Sequence, residues 1–266
     1  LRIQLTLSIP DIKNDKRILD AVSLRWNSYN QFEEMANIEI MFGTVPKYNL
    51  ADLIYRGMNM QDIISWGPGG VGFISGGSGI VGLSNLSAEQ FSYIVRSLSQ
   101  LDDIADFIIV DTGAGISDAV LEFLVSSSEI ILVTTPEPTS ITDSYSLLKA
   151  LSQHSQFSSE LSPVKVLANR VENEGEGNAL FQKFNVVVER YLKLPIQYLG
   201  YVPQDPALAK AVMQQTPISL QNENAKAAKA YERITQRLLY GEASQNVQKR
   251  GMATFFAQIL SGKKNS

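Results

Sequence analysis

Asp111 follows the apolar run Phe107, Ile108, Ile109 and Val110, and Thr112, Gly113, Ala114, Gly115 and Ile116 come after it. Such a run predicts a buried strand with an acid at its carboxyl edge. In an open α/β sheet, ligands bind just beyond that edge. A carboxylate there can order a water on Mg²⁺. The two glycines of the Gly-x-Gly turn let backbone amides approach a phosphate. The other reading of Asp111 is a helix N-cap for the segment that follows.

Three further strand ends carry polar or rigid residues. Thr134, Thr135, Pro136, Glu137 and Pro138 close one predicted strand, and two prolines stiffen its exit. Asn169 and Arg170 close the next, and Pro203, Gln204 and Asp205 the last. An Asn amide both donates and accepts, so it can read a purine edge. A proline face can pack on a base. Each is singly an ordinary loop residue; their shared sheet edge favours a base pocket. Seven glycines fall between Gly67 and Gly79, yet no Lys or Arg lies among them, and a surface loop is the reading there.

The elements that must position these residues alternate. Apolar runs at Val71–Ile74, Phe107–Val110, Ile130–Thr134, Val164–Ala168 and Gln197–Val202 read as strands, and Leu1–Leu7 is a further candidate. Helical text lies between them: Asn49–Arg56, Ala88–Gln100, Asp118–Ser126, Thr142–His154, Asn178–Leu192, Ala207–Gln214 and Asn222–Tyr240, with Ser140 or Thr142 as a cap. Strands separated by helices imply βαβ units. The expected fold is α/β, a doubly wound and mostly parallel sheet with helices on both faces. One nucleotide-binding domain over residues 1–244 and a tail over 245–266 are expected.

The tail holds Met252, Phe255, Phe256 and Ile259 at helical spacing, with Leu260 beside them and Lys249, Arg250, Lys263 and Lys264 around them. That stripe suits an amphipathic helix on an anionic membrane or a partner. Packing against the protein's own body is the alternative.

Composition sets outer limits. The 266 residues are 44% hydrophobic and 19% charged, with net charge −4, and no basic excess points to nucleic acid. There is no cysteine, which excludes disulfides and thiolate metal sites. The single His154 excludes multi-His metal centres, and it reads as an ordinary surface residue. No apolar run spans a bilayer, and no signal-peptide pattern is present.

From Ala36 onward the chain resembles the MinD/ParA class of deviant-Walker ATPases, and within it the flagellar-number regulators of the FlhG, FleN and YlxH type. The resemblance rests on Ala36–Gly43, Tyr48–Ile54, Phe73–Gly79, Val110–Ile116, Thr135–Pro138 and Leu199–Asp205. It implies ATP or ADP with Mg²⁺ held between two subunits of a homodimer, and hydrolysis there. Asp111 would stand near Mg²⁺ through water, and Gly115 would donate its amide to the γ-phosphate, with Gly113 in the same turn. Asn169, Arg170, Pro203 and Asp205 would border adenine. Asn37 and Glu39 would lie at the dimer face. The C-terminal helix would reach the membrane in the ATP state, giving a cytoplasmic, peripherally membrane-associated protein. The SRP-type GTPase FlhF and flagellar switch (C-ring) proteins would be partners, and nucleic acid would not.

Residues 1–35 depart from that pattern. The glycine- and lysine-rich phosphate loop G-x-x-x-x-G-K-[ST] is absent, and no glycine precedes Gly43. Lys13 and Lys16 are poor substitutes without a nest of amides. Two activities therefore remain open: an ATPase switch, and a nucleotide-independent scaffold that keeps the partner surfaces. A MinD or ParA protein of division or DNA partitioning is a third reading. The match resumes abruptly at Ala36 while Asp111–Ile116 is intact, which favours altered text over slow drift.

Overall fold

A computed structural model describes residues 4–8, 37–75, 93, 96–112, 115–116, 118–240 and 251–262. In chain order the elements are β1 (Gln4–Ser8), α1 (Asn37–Phe42), α2 (Leu50–Arg56), α3 (Met60–Ile63), β2 (Ser65–Trp66), β3 (Gly72–Ile74) and β4 (Phe107–Asp111). Then come α4 (Asp118–Ser126), β5 (Ile130–Thr134), α5 (Pro138–Gln153), β6 (Val164–Val171), α6 (Glu174–Leu192) and β7 (Ile196–Pro203). The chain ends with α7 (Pro206–Met213), α8 (Ile218–Gln221), α9 (Lys226–Tyr240) and α10 (Met252–Gly262).

Two compact units result. The first takes residues 1–113, 214–217 and 250–266, and the second 114–213 and 218–249.

The first unit holds a four-stranded sheet in the order β2-β3-β1-β4. β1 lies antiparallel to both β3 and β4, so β3 and β4 share one direction on either side of it. Gln4 registers opposite Asp111. α2 shows how local sequence starts a helix. Asn49 accepts the amides of Ala51 (2.8 Å) and Asp52 (3.3 Å), and Asp52 takes the Asn49 amide at 3.0 Å. Gly57 ends it in left-handed backbone at φ 64. Burial raises the Asp52 pKa, but hydrogen bonds from Arg56 and Asn49 and the Arg56 charge outweigh it and hold the carboxyl below its usual 3.8.

The second unit carries the parallel part. β5, β6 and β7 pair in that order, all parallel. Their alternate residues meet α4, α5 and α6 in one core of Val125, Leu148, Leu151, Val164, Val166 and Val188. Each such side chain removed from water contributes about 1.5–3 kcal/mol. α9 packs along β7, with Tyr231 fully buried and Arg237 Nη1 donating to the Leu199 carbonyl at 3.1 Å. Lys165 lies within this unit's interior, and its ammonium is paired to Glu129.

Helix α4 and strand β5 begin and end where the sequence pattern puts them. α5 starts earlier than Thr142. Pro138 occupies the first turn, where its missing N–H costs nothing, and Glu137 precedes it in extended backbone. Ser140 therefore lies inside the helix rather than capping it, and Thr142 donates to the Pro138 carbonyl at 2.8 Å. α6 also starts before Asn178, with Asn173 as its cap accepting the Glu176 amide at 3.1 Å. Gly175 and Gly177 mask that start in the sequence, because glycine is a poor helix former. Most of the helix expected over Ala88–Gln100 lies outside the described residues. His154 is not an ordinary surface residue: its side chain is half-buried, with Nε2 3.6 Å from Glu122 and Nδ1 accepting the Gln156 amide at 3.4 Å. Among the described residues no helix is long and apolar enough to cross a membrane.

Candidate functional site

The carboxyl edge of β5-β6-β7 collects polar residues where a core edge would ordinarily be apolar. Thr134, Thr135, Ser140 and Asn169 are all buried, Asn169 to 1% exposure. Register puts them level. Thr134 stands beside Ala168, Ala168 beside Tyr201, Asn169 beside Val202, and Val171 beside Pro203. The strand exits are tied together. The Thr135 amide donates to Ser140 Oγ at 3.0 Å, and Ser140 Oγ shares a hydrogen bond with Thr134 Oγ1 at 3.2 Å. Gln204 N–H donates to the Val171 carbonyl at 2.8 Å, which carries the pairing past Pro203.

Asn169 and Arg170 form an irregularity in β6. The register shifts between Asn169 and Val171, and Arg170 sits at φ 57. A non-glycine residue held in left-handed backbone costs about 1–3 kcal/mol, and such strain gathers at functional sites. Asn169 Oδ1 accepts the Arg170 amide at 2.9 Å and steadies the bulge. Its Nδ2 is buried without a hydrogen-bond partner, as is Thr135 Oγ1. A buried donor left unmade costs about 1–3 kcal/mol, and a ligand acceptor would recover it. Arg170 reaches across to Glu137 on the β5 exit, Nη1 to Oε1 at 3.3 Å.

Asp205 has another task. Its Oδ1 accepts the Ala207 amide at 2.9 Å and its Oδ2 the Ala227 amide at 3.0 Å. It fixes the starts of α7 and α9 and so shapes the edge on which Pro203 is buried.

Asp111 ends β4 in the first unit, half-buried. Gly115 belongs to the second unit, exposed, at φ +105 with open space where a Cβ would stand. That backbone favours glycine. Gly113 lies outside the described residues. The structure therefore gathers Asn169, Arg170, Pro203 and Asp205 on one edge of one unit, whereas Asp111 belongs to the other.

In the tail, α10 runs from Met252 to Gly262, and Met252, Phe255 and Ile259 are buried within the first unit. Asp102 receives the Met252 amide on both carboxylate oxygens, at 3.0 and 2.9 Å. The side chains of Phe256 and Leu260 lie outside the described residues.

The sequence alone does not single out Glu137 as a partner of Arg170, Ser140 as the tie to β5, or Asp102 as the holder of α10. The first two carry a signal in their positions at strand exits. Asp102 carries none, because its contact spans 150 residues.

The residues fit one part of a nucleotide and not the rest. The unpartnered Asn169 amide donor suits a purine acceptor. The lysine-bearing loop that would hold a triphosphate and its Mg²⁺ is missing from the sequence, and phosphoryl transfer depends on such positioning. Among the described residues no cluster of His, Asp or Glu could hold a metal alone.

Known proteins resemble this chain in sequence and in fold. The family profile described as ParA, NUBPL iron-transfer P-loop NTPase, matches residues 94–239. The Antiactivator FleN of Pseudomonas aeruginosa is 32% identical over 258 residues, 97% of this chain and 86% of that protein. The matched span thus reaches into the first 35 residues. The Flagellum site-determining protein YlxH of Helicobacter pylori is 28% identical over 230 residues, 85% of this chain and 76% of its own. Among solved structures, the MinD cell division protein of Aquifex aeolicus superposes with TM-score 0.57 at 19% identity, covering 76% of this chain and 79% of that one. The septum site-determining protein MinD of Pyrococcus horikoshii, complexed with Mg-ADP, gives 0.53 at 18% identity over 81% and 83%. With its P-loop NTPase-like α/β fold and these matches, the chain belongs to the MinD/ParA family of P-loop NTPases.

Proposed function

We propose that this protein is a nucleotide-operated switch that regulates flagellar number and placement. The observation that carries the reading is the buried, unpartnered Asn169 amide beside the strained Arg170, at the sheet edge where α/β proteins bind ligands. The relatives named as an antiactivator and as a flagellum site-determining protein support the process. In this reading Asn169 and Arg170 face the base, with Pro203 as a wall and Asp205 holding the edge in shape. ATP draws two copies together, with Asn37 and Glu39 at their contact. Asp111 would order a water on Mg²⁺, and Gly115 would offer its amide to the γ-phosphate. Turnover returns the protein to a monomer in the cytoplasm. While ATP is bound, α10 leaves its own body for an anionic membrane, with Met252, Phe255, Phe256, Ile259 and Leu260 as the inserted stripe. An SRP-type GTPase and flagellar switch proteins read the two states.

Sedimentation velocity tests the switch. ATP with Mg²⁺ should raise the dimer fraction of the wild type, and Asp111→Ala should abolish phosphate release. A chain that stays monomeric at saturating ATP is not this switch.

A second reading has its own observation. The absent lysine loop favours a scaffold that works without nucleotide. It requires that partner binding be indifferent to ATP and ADP.

A further inference from the structure

Helix α6 presents an outward face that its own fold does not use. Phe181, Phe184 and Val188 are buried in the core of the second unit. Round the helix from that stripe Val186 and Val187 are 61% and 41% exposed, and Tyr191, one turn beyond Val188, is 64% exposed. Adjacent β-branched residues on the outside of a helix contribute neither propensity nor burial. Lys183, Val187 and Tyr191 follow one another at i, i+4 and i+8, and so form one row. Lys183, Arg190 and Lys193 have no ion-pair partner among the described residues. Arg190 instead stacks on Tyr191, 5.5 Å from the ring centre. Cations near a helix C-terminus suit its dipole, which accounts for Arg190 and Lys193. It does not account for Lys183 or for the exposed Val and Tyr side chains.

We propose that this face docks a short segment of a partner protein in which acidic residues flank one or two large apolar side chains. Charge complementarity selects the class: Lys183 and Arg190 lie beside the apolar row without an ion-pair partner among the described residues, and they call for carboxylates. Tyrosine and arginine beside each other are the residue types that anchor interfaces. A lipid surface fits less well. Valine is too short to insert deeply, and α6 is held by its buried side and cannot roll to bury more. No feature of this face depends on nucleotide, so failure of nucleotide binding leaves the docking surface standing.

Fluorescence anisotropy on the full chain tests it, with pools of labelled synthetic peptides that place Leu and Ile among Asp and Glu. The expected result is binding by the wild type, weakened about tenfold or more by Tyr191→Ala and by Lys183→Glu. Pools with Asn and Gln in place of the acids should bind no variant. Both positions are exposed, so melting should be unchanged. No binding of the acidic pools, or binding indifferent to positions 183 and 191, overturns the proposal. So does sedimentation with phosphatidylserine vesicles that depends on Tyr191, which would make the face a lipid contact.

Discussion

Asn169 accepts the backbone amide of Arg170 at 2.9 Å, and that bond stabilises a bulge in which Arg170 takes left-handed backbone. The carboxamide thereby has its oxygen committed and its nitrogen left over. A strained arginine and an unused buried donor sit side by side at the end of one strand. Both are unfavourable for folding alone, and both become useful when a ligand arrives.

Replacing Arg170 by glycine separates stability from binding. Glycine adopts φ 57 without penalty, and the exposed ion pair to Glu137 is worth little. Arg170→Gly should hold or raise the melting temperature, with a gain of up to about 1 kcal/mol. Its affinity for ADP should fall. A clear loss of stability would mean that Arg170 serves the fold.

Asp102 and the amide of Met252 make the second testable relationship. Asp102→Ala removes the N-terminal hold on α10 at a cost of about 0.5–2 kcal/mol. Amide exchange over residues 252–262 should quicken. Sedimentation with anionic vesicles should rise, and truncation before Gly251 should remove that gain. Unaltered vesicle binding in both variants would end the membrane assignment of α10.

Tyr198 gives a pH signature. Burial, ahead of the opposing Arg237 charge, pushes its phenol from 10.0 up to about 12. The folded state thus keeps the proton that the unfolded state releases first. This stability is complete below pH 10 and is lost as pH rises towards 12. A phenolate titration should show a late tyrosine that disappears in Tyr198→Phe. Because the hydroxyl is buried without a partner, that variant should be no less stable than the wild type.

Two glycines are tests of packing. A Cβ at Gly177 would stand 2.7 Å from the Tyr198 hydroxyl and 2.9 Å from Tyr201 Cβ, forcing α6 away from β7. One at Gly67 would meet the buried Phe42 ring at 2.5 Å. Gly177→Ala and Gly67→Ala should each cost about 1–3 kcal/mol in urea unfolding. Loss at Gly177 with no loss at Gly67 would show that Phe42 can yield.

Much of the fold is legible in the sequence because it is local. Apolar runs mark β5 and β6, the helical text over Asn49–Arg56 marks α2, and strand ends mark the polar edge. The features that escape such reading are non-local or conformational. No pattern says that Asp102 meets Met252, that β1 runs antiparallel between β3 and β4, or that Arg170 is strained. The strand-end position of Asp205 suggests a base contact, yet both its oxygens accept helix-start amides, one of them from Ala227. Helix starts at Pro138 and Glu174 are hidden by proline and glycine, whose helix-breaking reputation holds for interiors and not for first turns.

Calorimetric titration of the chain with Mg²⁺-ADP tests the nucleotide site most directly. A site built on Asn169 predicts binding in the micromolar range, weakened about tenfold or more in Asn169→Asp, which keeps the oxygen that accepts the Arg170 amide and removes the donor. No detectable heat with the wild type, or an affinity unchanged by that substitution, would contradict it.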